Sequence, residues 1–134
     1  MAIVIDADVI IRGERGTFPL KEWVASNRNE ELQLAAITVA ELWHGVERAT
    51  PAHKNKRVRY LQALLAVLPV LPYTEQTAYE HARIWAKMEA LGKMTGYYDL
   101  LVAATALERG SQIATFNKSH FESVPGLTVI VPTL

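Results

Sequence analysis

The sequence predicts an α/β domain of three layers, with a largely parallel central sheet flanked by helices. Short apolar runs rich in β-branched residues alternate along the chain with longer segments of helical spacing. Residues that start and stop helices fall between them. The 134 residues suffice for one core and are too few for two domains of ordinary size, so 1–134 is read as a single domain.

Ala2 to Ile5 forms the first run, continuous rather than alternating, as in a strand buried on both faces. The segment from Asp6 to Thr17 carries no assigned element. Thr17 and Pro19 announce a helix with Leu20, Trp23 and Val24 on one face, ended by Asn27 to Asn29. Leu32 to Ile37 is the second strand, and Thr38 starts a helix bearing Leu42, Gly45 and Val46. Beyond Pro51, His53 to Leu68 is helical, with Leu61, Leu64, Leu65 and Leu68 as its stripe. Val70-Leu71, between prolines, is a short strand. Thr74 caps a helix through Ala78, Ala82, Trp85 and Met88 to Gly92. Asp99 to Arg109 is helical with Gly110 behind it, and Gln112 to Phe116 and Thr128 to Val131 are the last strands.

Composition narrows the function. Lys plus Arg and Asp plus Glu number 14 each, so any nucleic acid must be held by local patches rather than by a global positive field. With no cysteine, disulfides and thiolate metal sites are excluded, and a reducing compartment fits. The start lacks a basic n-region, and the longest apolar stretch, Leu64 to Leu71, is short of a membrane span and cut by Pro69. A cytoplasmic protein with no membrane partner is expected.

The acids carry the sharpest signal. Asp6 ends the first strand, Glu41 lies at the opening of the helix after the second, and Asp99 opens a later one. In a parallel sheet, strand carboxyl ends and helix amino ends share one edge, where ligands bind. Three carboxylates gathered there repel, so one takes a proton or a divalent cation neutralises them; hard oxygen ligands favour Mg²⁺ or Mn²⁺. Simpler readings compete. Thr38 and Glu41 fit a capping box, and Asp99 fits an N-cap. Asp6, at the end of an apolar strand, costs desolvation unless paired, and Asp8 two residues on is assigned to support.

Four segments resemble the motifs of PIN domains, in particular VapC-type toxins: Val4-Ile5-Asp6-Ala7-Asp8-Val9-Ile10; Ile37-Thr38-Val39-Ala40-Glu41-Leu42 with Gly45; Asp99-Leu100-Leu101-Val102-Ala103-Ala104-Thr105-Ala106; and Thr115-Phe116-Asn117 followed by Phe121 and Val124-Pro125-Gly126-Leu127. The resemblance spans nearly the whole chain. It implies a PIN-like fold, cleavage of single-stranded RNA, a Mg²⁺ or Mn²⁺ cofactor, a homodimer and a cognate antitoxin. It makes Asp6, Glu41 and Asp99 the acidic triad, with Asp6 and Asp99 as principal metal ligands and Glu41 as ligand or water-orienting base. Many relatives carry a fourth acid where this chain has Asn117 to His120, and a small hydroxyl residue where it has Ala7. Asn117 can orient water but adds no charge, so one tightly held ion is the expectation. Thr115 and Asn117 are expected to position substrate or water.

Lesser features have two readings each. Arg12 and Arg15 fit phosphate contact or a flexible loop. His53 to Arg59 is basic and fits RNA or a solvated helix face. Tyr97 and Tyr98 could stack a base, although aromatics at a helix start usually pack. The leucine stripe is core or a partner surface. Rivals to the metal nuclease are cleavage by His44 and His120 as base and acid, a phosphoacceptor domain of flavodoxin-like topology, and an inactive PIN-like interaction module.

Overall fold

The computed structural model describes residues 1–134. Five strands form one parallel sheet in the order β3-β2-β1-β4-β5: β1 Ala2–Ile5, β2 Glu31–Ala35, β3 Val70–Leu71, β4 Gln112–Ala114 and β5 Val129–Ile130. Seven helices cover it: α1 Ala7–Arg15, α2 Leu20–Ser26, α3 Ala36–Glu47, α4 Pro51–Leu65, α5 Glu75–Leu91, α6 Tyr97–Glu108 and α7 Lys118–Phe121. No helix is long and apolar enough to cross a membrane.

The pleat of the strands makes the three layers. Ile3, Ile5, Leu32 and Leu34 point to one face, where Val9, Ile10, Leu20, Trp23, Val46 and Leu61 cover them. Val4, Ala35 and Ile113 point to the other, against Ile84, Met88, Leu100, Val102 and Phe121. Each such aliphatic side chain, fully buried, contributes about 1.5–3 kcal/mol.

Where the structure departs from expectation, helices begin earlier and two, α1 and α7, were not expected. The segment after β1 is not a loop but α1. The Oδ1 of Asp6 caps it, accepting the Ala7 N–H at 2.9 Å, and Gly16 closes it at φ 78°. Arg12 and Arg15 therefore sit on a helix. Thr17 does not cap α2; its hydroxyl donates to the Arg12 carbonyl at 3.3 Å, and Pro19 precedes the first turn. Strand β2 ends at Ala35, so α3 already runs at Thr38, and no capping box involves Glu41, which lies in the second turn. Asp99 is the third residue of α6 behind Gly96 rather than its N-cap. After β1 and β2 the chain turns helical as soon as the strand ladder ends.

Candidate active site

The strand order reverses direction between β1 and β4, which run from the middle of the sheet to helices on opposite faces. A crevice opens at such a point, outside the carboxyl ends of the two strands. Asp6 stands at this opening. Its backbone N–H donates to the Ala114 carbonyl at 2.9 Å, which fixes it to the end of β4, and only 4% of its surface is exposed. The Thr115 hydroxyl, one residue beyond β4, donates to Asp6 Oδ2 at 2.8 Å. The Thr115 hydroxyl oxygen also lies 3.3 Å from Asp8 Oδ1 and accepts the Asn117 N–H at 3.0 Å. Asp8 Oδ2 accepts the Phe116 N–H at 3.0 Å. One hydroxyl and two carboxylates thus tie α1 to the loop after β4.

This network corrects one assignment. Thr115 was expected to position substrate or water, but it is fully buried, and its hydroxyl is engaged by Asp6. Asn117 is exposed at the start of α7, and its side chain makes no capping bond. Asp8 braces the loop, the supporting part it was given.

The acids feel one another. Burial, then the charge of Asp8, push the Asp6 carboxyl up to about 7; the Thr115 hydrogen bond opposes them, and Asp99 adds to the rise. Glu41 is raised by burial, then by Asp99 and Asp8. Asp99 is raised by burial, against the hydrogen bond and charge of His120, with Asp8 adding to the rise. The charge of Asp8 raises all three, and that of Asp99 raises Asp6 and Glu41, while Glu41 lines the cleft between α1, α3 and α4 and Asp99 a separate small pocket. No three acidic or histidine side chains form a ready-made cage around one point. The donor set nevertheless fits a hard divalent cation. All the donors are carboxylate oxygens, and Glu41 Oε1 is buried with no hydrogen-bond partner. A cation would satisfy that oxygen and relieve the repulsion that raises all three acids.

Sequence reasoning gave His120 a different part. Its Nδ1 lies 3.0 Å from Asp99 Oδ2, across 21 positions of sequence and from a short helix that no pattern announces. His120 lines a small polar pocket with Asp99, whereas His44 lines a separate cleft with Glu41, so the two histidines do not form a base–acid pair. Arg12 lays its guanidinium 4.4 Å from the centre of the Phe116 ring, and Arg15 faces the cleft that Glu41 lines. Tyr97 and Tyr98 do not pack into the core: they are 67% and 54% exposed, edge to face with each other at 5.7 Å. The phosphoacceptor reading fails on topology, because a flavodoxin-like sheet is ordered 2-1-3-4-5 and here β1 lies between β2 and β4.

Comparison with known proteins agrees with this architecture. The family model for the PIN domain matches residues 3–127. The VapC ribonuclease Y4jK of Sinorhizobium fredii is 36% identical over 115 residues, covering 82% of this chain and 81% of its own. Ribonuclease VapC1 of Rickettsia felis is 29% identical over 133 residues, 97% and 96% of the two chains. In the crystal structure of VapBC2 from Rickettsia felis bound to a promoter DNA fragment, one chain superposes with a TM-score of 0.92 at 18% identity, over 99% of this chain and 100% of that one. On the motifs, the fold and these relatives together, the chain belongs to the PIN domain family.

Proposed function

We propose that this protein is a magnesium- or manganese-dependent endoribonuclease and the toxin member of a toxin–antitoxin pair. The observation that carries this reading is the buried Asp6 carboxylate at the β1–β4 crevice, its charge opposed by Asp8 and Asp99 and its orientation set by Thr115. The ribonuclease names of the relatives, and the VapBC complexes among the similar structures, support it.

Asp6 and Asp99 would hold the ion, with Glu41 as a third ligand or as the group that orients the attacking water. A divalent ion there would supply a more acidic water and positive charge against the negative charge on the phosphoryl oxygens. The chain's own residues do the rest. Thr115 holds Asp6 in one rotamer, and Asp8 fixes the loop that presents Asn117. Asn117, exposed at the rim, is free to hydrogen-bond a phosphate oxygen or water. His120 fixes the outer oxygen of Asp99.

Two partners fit the remaining surface. An apolar groove of about 580 Å³ between α2 and α4, lined by Phe18, Leu20, Tyr60, Leu64 and Val67, suits the antitoxin. Of the Leu61–Leu68 stripe, Leu61 and Leu68 belong to the core, and Leu64 and Leu68 line the groove. Exposed Tyr79 and Trp85 on α5 suit a second copy in a homodimer. The test is incubation of labelled single-stranded RNA with the protein and Mg²⁺. Cleavage should be abolished by EDTA and restored by excess Mg²⁺ or Mn²⁺. Cleavage that persists in excess EDTA would overturn the reading.

A further inference from the structure

The acid cluster poses an electrostatic problem that its own residues do not solve. A polyanion must reach a crevice holding four carboxylates, on a protein whose formal net charge is zero. Cations close to the crevice have to offset that repulsion.

One group of them, three arginines, lines a single cleft. A cleft of about 540 Å³ opens between α1, α3 and α4, with Glu41, one of the four acids, in its wall. Arg15 enters it from α1, Arg48 from the end of α3 and Arg57 from α4. Neither Arg15 nor Arg48 has a carboxylate within 4.0 Å, whereas Arg83 and Arg109 elsewhere are paired with Glu80 and Glu108. Arg57 is built in. Its Nη1 donates to the Gly45 carbonyl at 3.1 Å, and Glu14 stands 4.0 Å from its Nε. A Cβ at position 45 would lie 3.1 Å from that same nitrogen, so the guanidinium rests against α3 because Gly45 has no side chain. A glycine inside a helix costs about 0.5–1 kcal/mol, and here it accompanies a close approach of an arginine.

We propose that this arginine cleft is the phosphate track of the enzyme, holding the backbone of single-stranded RNA on the Glu41 side of the cutting point, without regard to base. The inference rests on the nuclease reading and deepens it. Arginine suits the task, because its fork of donors matches phosphate oxygens and keeps its charge. RNA is favoured over a protein occupant by the lining, in which only Ile11, Leu42, Ala49 and Leu61 are apolar. A protein partner finds its apolar anchorage in the separate α2–α4 groove.

The test measures binding rather than cleavage. In an Asp6→Asn background with EDTA present, the affinity for a fluorescein-labelled oligouridylate is measured by anisotropy across a series of KCl concentrations. Arg15→Ala and Arg48→Ala should each weaken binding several-fold at low salt and flatten the plot of log K against log salt by about 0.7 per lost phosphate contact. Arg57→Lys, which retains charge while losing the Gly45 bond, should weaken binding with little change of slope. Arg28→Ala, whose guanidinium donates to the Ala25 carbonyl, is the control and should bind like the parent. Thermal melts verify folding, and Arg48→Gln replaces Arg48→Ala should the latter melt early. The proposal is overturned if the parent shows no saturable binding, if Arg15→Ala and Arg48→Ala keep its affinity and slope, or if they lose binding of polyglutamate alone. A parent that binds in this way yet never cuts RNA would overturn the nuclease reading and leave the track standing.

Discussion

Thr115 and Asp6 meet through a 2.8 Å hydrogen bond that spans 109 positions of sequence, joining the loop after β4 to the end of β1 at the bottom of the crevice. Burial and Asp8 favour the protonated carboxyl, and the Thr115 hydroxyl is the largest influence in the other direction. Thr115→Val keeps the shape and deletes the donor. A hydrogen bond to a charged group contributes about 1.5–3 kcal/mol, so the Asp6 carboxyl should rise by roughly 1–2 pH units above its present value. Thr115→Ser should restore it. Titration of the Asp6 carboxyl carbon by NMR, without metal, measures this; an unmoved midpoint in Thr115→Val would show that the hydroxyl is structural only.

The raised Asp6 carboxyl also sets how stability depends on pH. Its ordinary value is 3.8 and its value in the fold is about 7, so the folded state binds the proton more tightly than the unfolded chain. The stability this provides is complete below pH 3.8 and is lost as pH rises through about 7. Without metal, the protein should therefore lose stability between those limits, by an amount on the order of a few kcal/mol. Asp6→Asn removes the titration, so in chelator above pH 7 its melting temperature should equal or exceed that of the parent. Mg²⁺ should raise the melting temperature of the parent, by the equivalent of about 2.7 kcal/mol at a hundredfold excess over Kd, and leave that of Asp6→Asn nearly unchanged. Equal Mg²⁺ shifts in both proteins would exclude Asp6 as a ligand.

How far the sequence could be read depended on whether a residue's surroundings were local. Asp6 was legible because a carboxylate ending an apolar strand has few harmless explanations. Glu41 and Asp99 were legible as acids near helix starts, though each lies deeper in its helix than expected, because β2 ends at Ala35 and α6 begins at Tyr97. Helix α1 was hidden, since Val9 and Ile10 read as a continuation of the strand's apolar run and Gly13 interrupts the helical pattern. The contacts of Thr115 with Asp6 and of His120 with Asp99 come from the pairing of β1 with β4 and from the placement of α7, and no spacing in the chain encodes them.

Gly13 gives a prediction that only packing reveals. A Cβ there would lie 2.6 Å from Leu20 Cβ and 2.9 Å from the Tyr60 hydroxyl oxygen, at the crossing of α1 with α2 and α4. Helix propensity alone would make Gly13→Ala stabilising by about 1 kcal/mol. The clash should win, because Leu20 is buried and its Cβ cannot move without its backbone. Overpacking of this kind costs about 1–3 kcal/mol. Denaturant unfolding should show a net loss of stability, and a gain would mean that α2 can shift outward freely.

The final prediction concerns the chemistry of the cut ends. If a water attacks phosphorus, the ribose 2′-OH takes no part, and the products carry a 5′-phosphate and a 3′-hydroxyl. Histidine catalysis through the 2′-OH would leave a cyclic phosphate. The placement of His120 on Asp99, in a different cleft from His44, favours the first outcome. His120→Ala should then act through Asp99, lowering activity by about ten- to a hundredfold, as the loss of a partner to a metal ligand does. Because His120 orients Asp99 rather than carrying the substrate proton, its loss should leave the end groups unchanged and be partly rescued by raising Mg²⁺. His44→Ala should cut with the same end groups. Asp6→Asn and Asp99→Asn should fall by orders of magnitude at any pH, since each removes a ligand charge while keeping its size. Cyclic-phosphate ends, or a His120→Ala defect that no Mg²⁺ concentration improves while Asp99→Asn stays active, would transfer the chemistry from the carboxylates to the histidine.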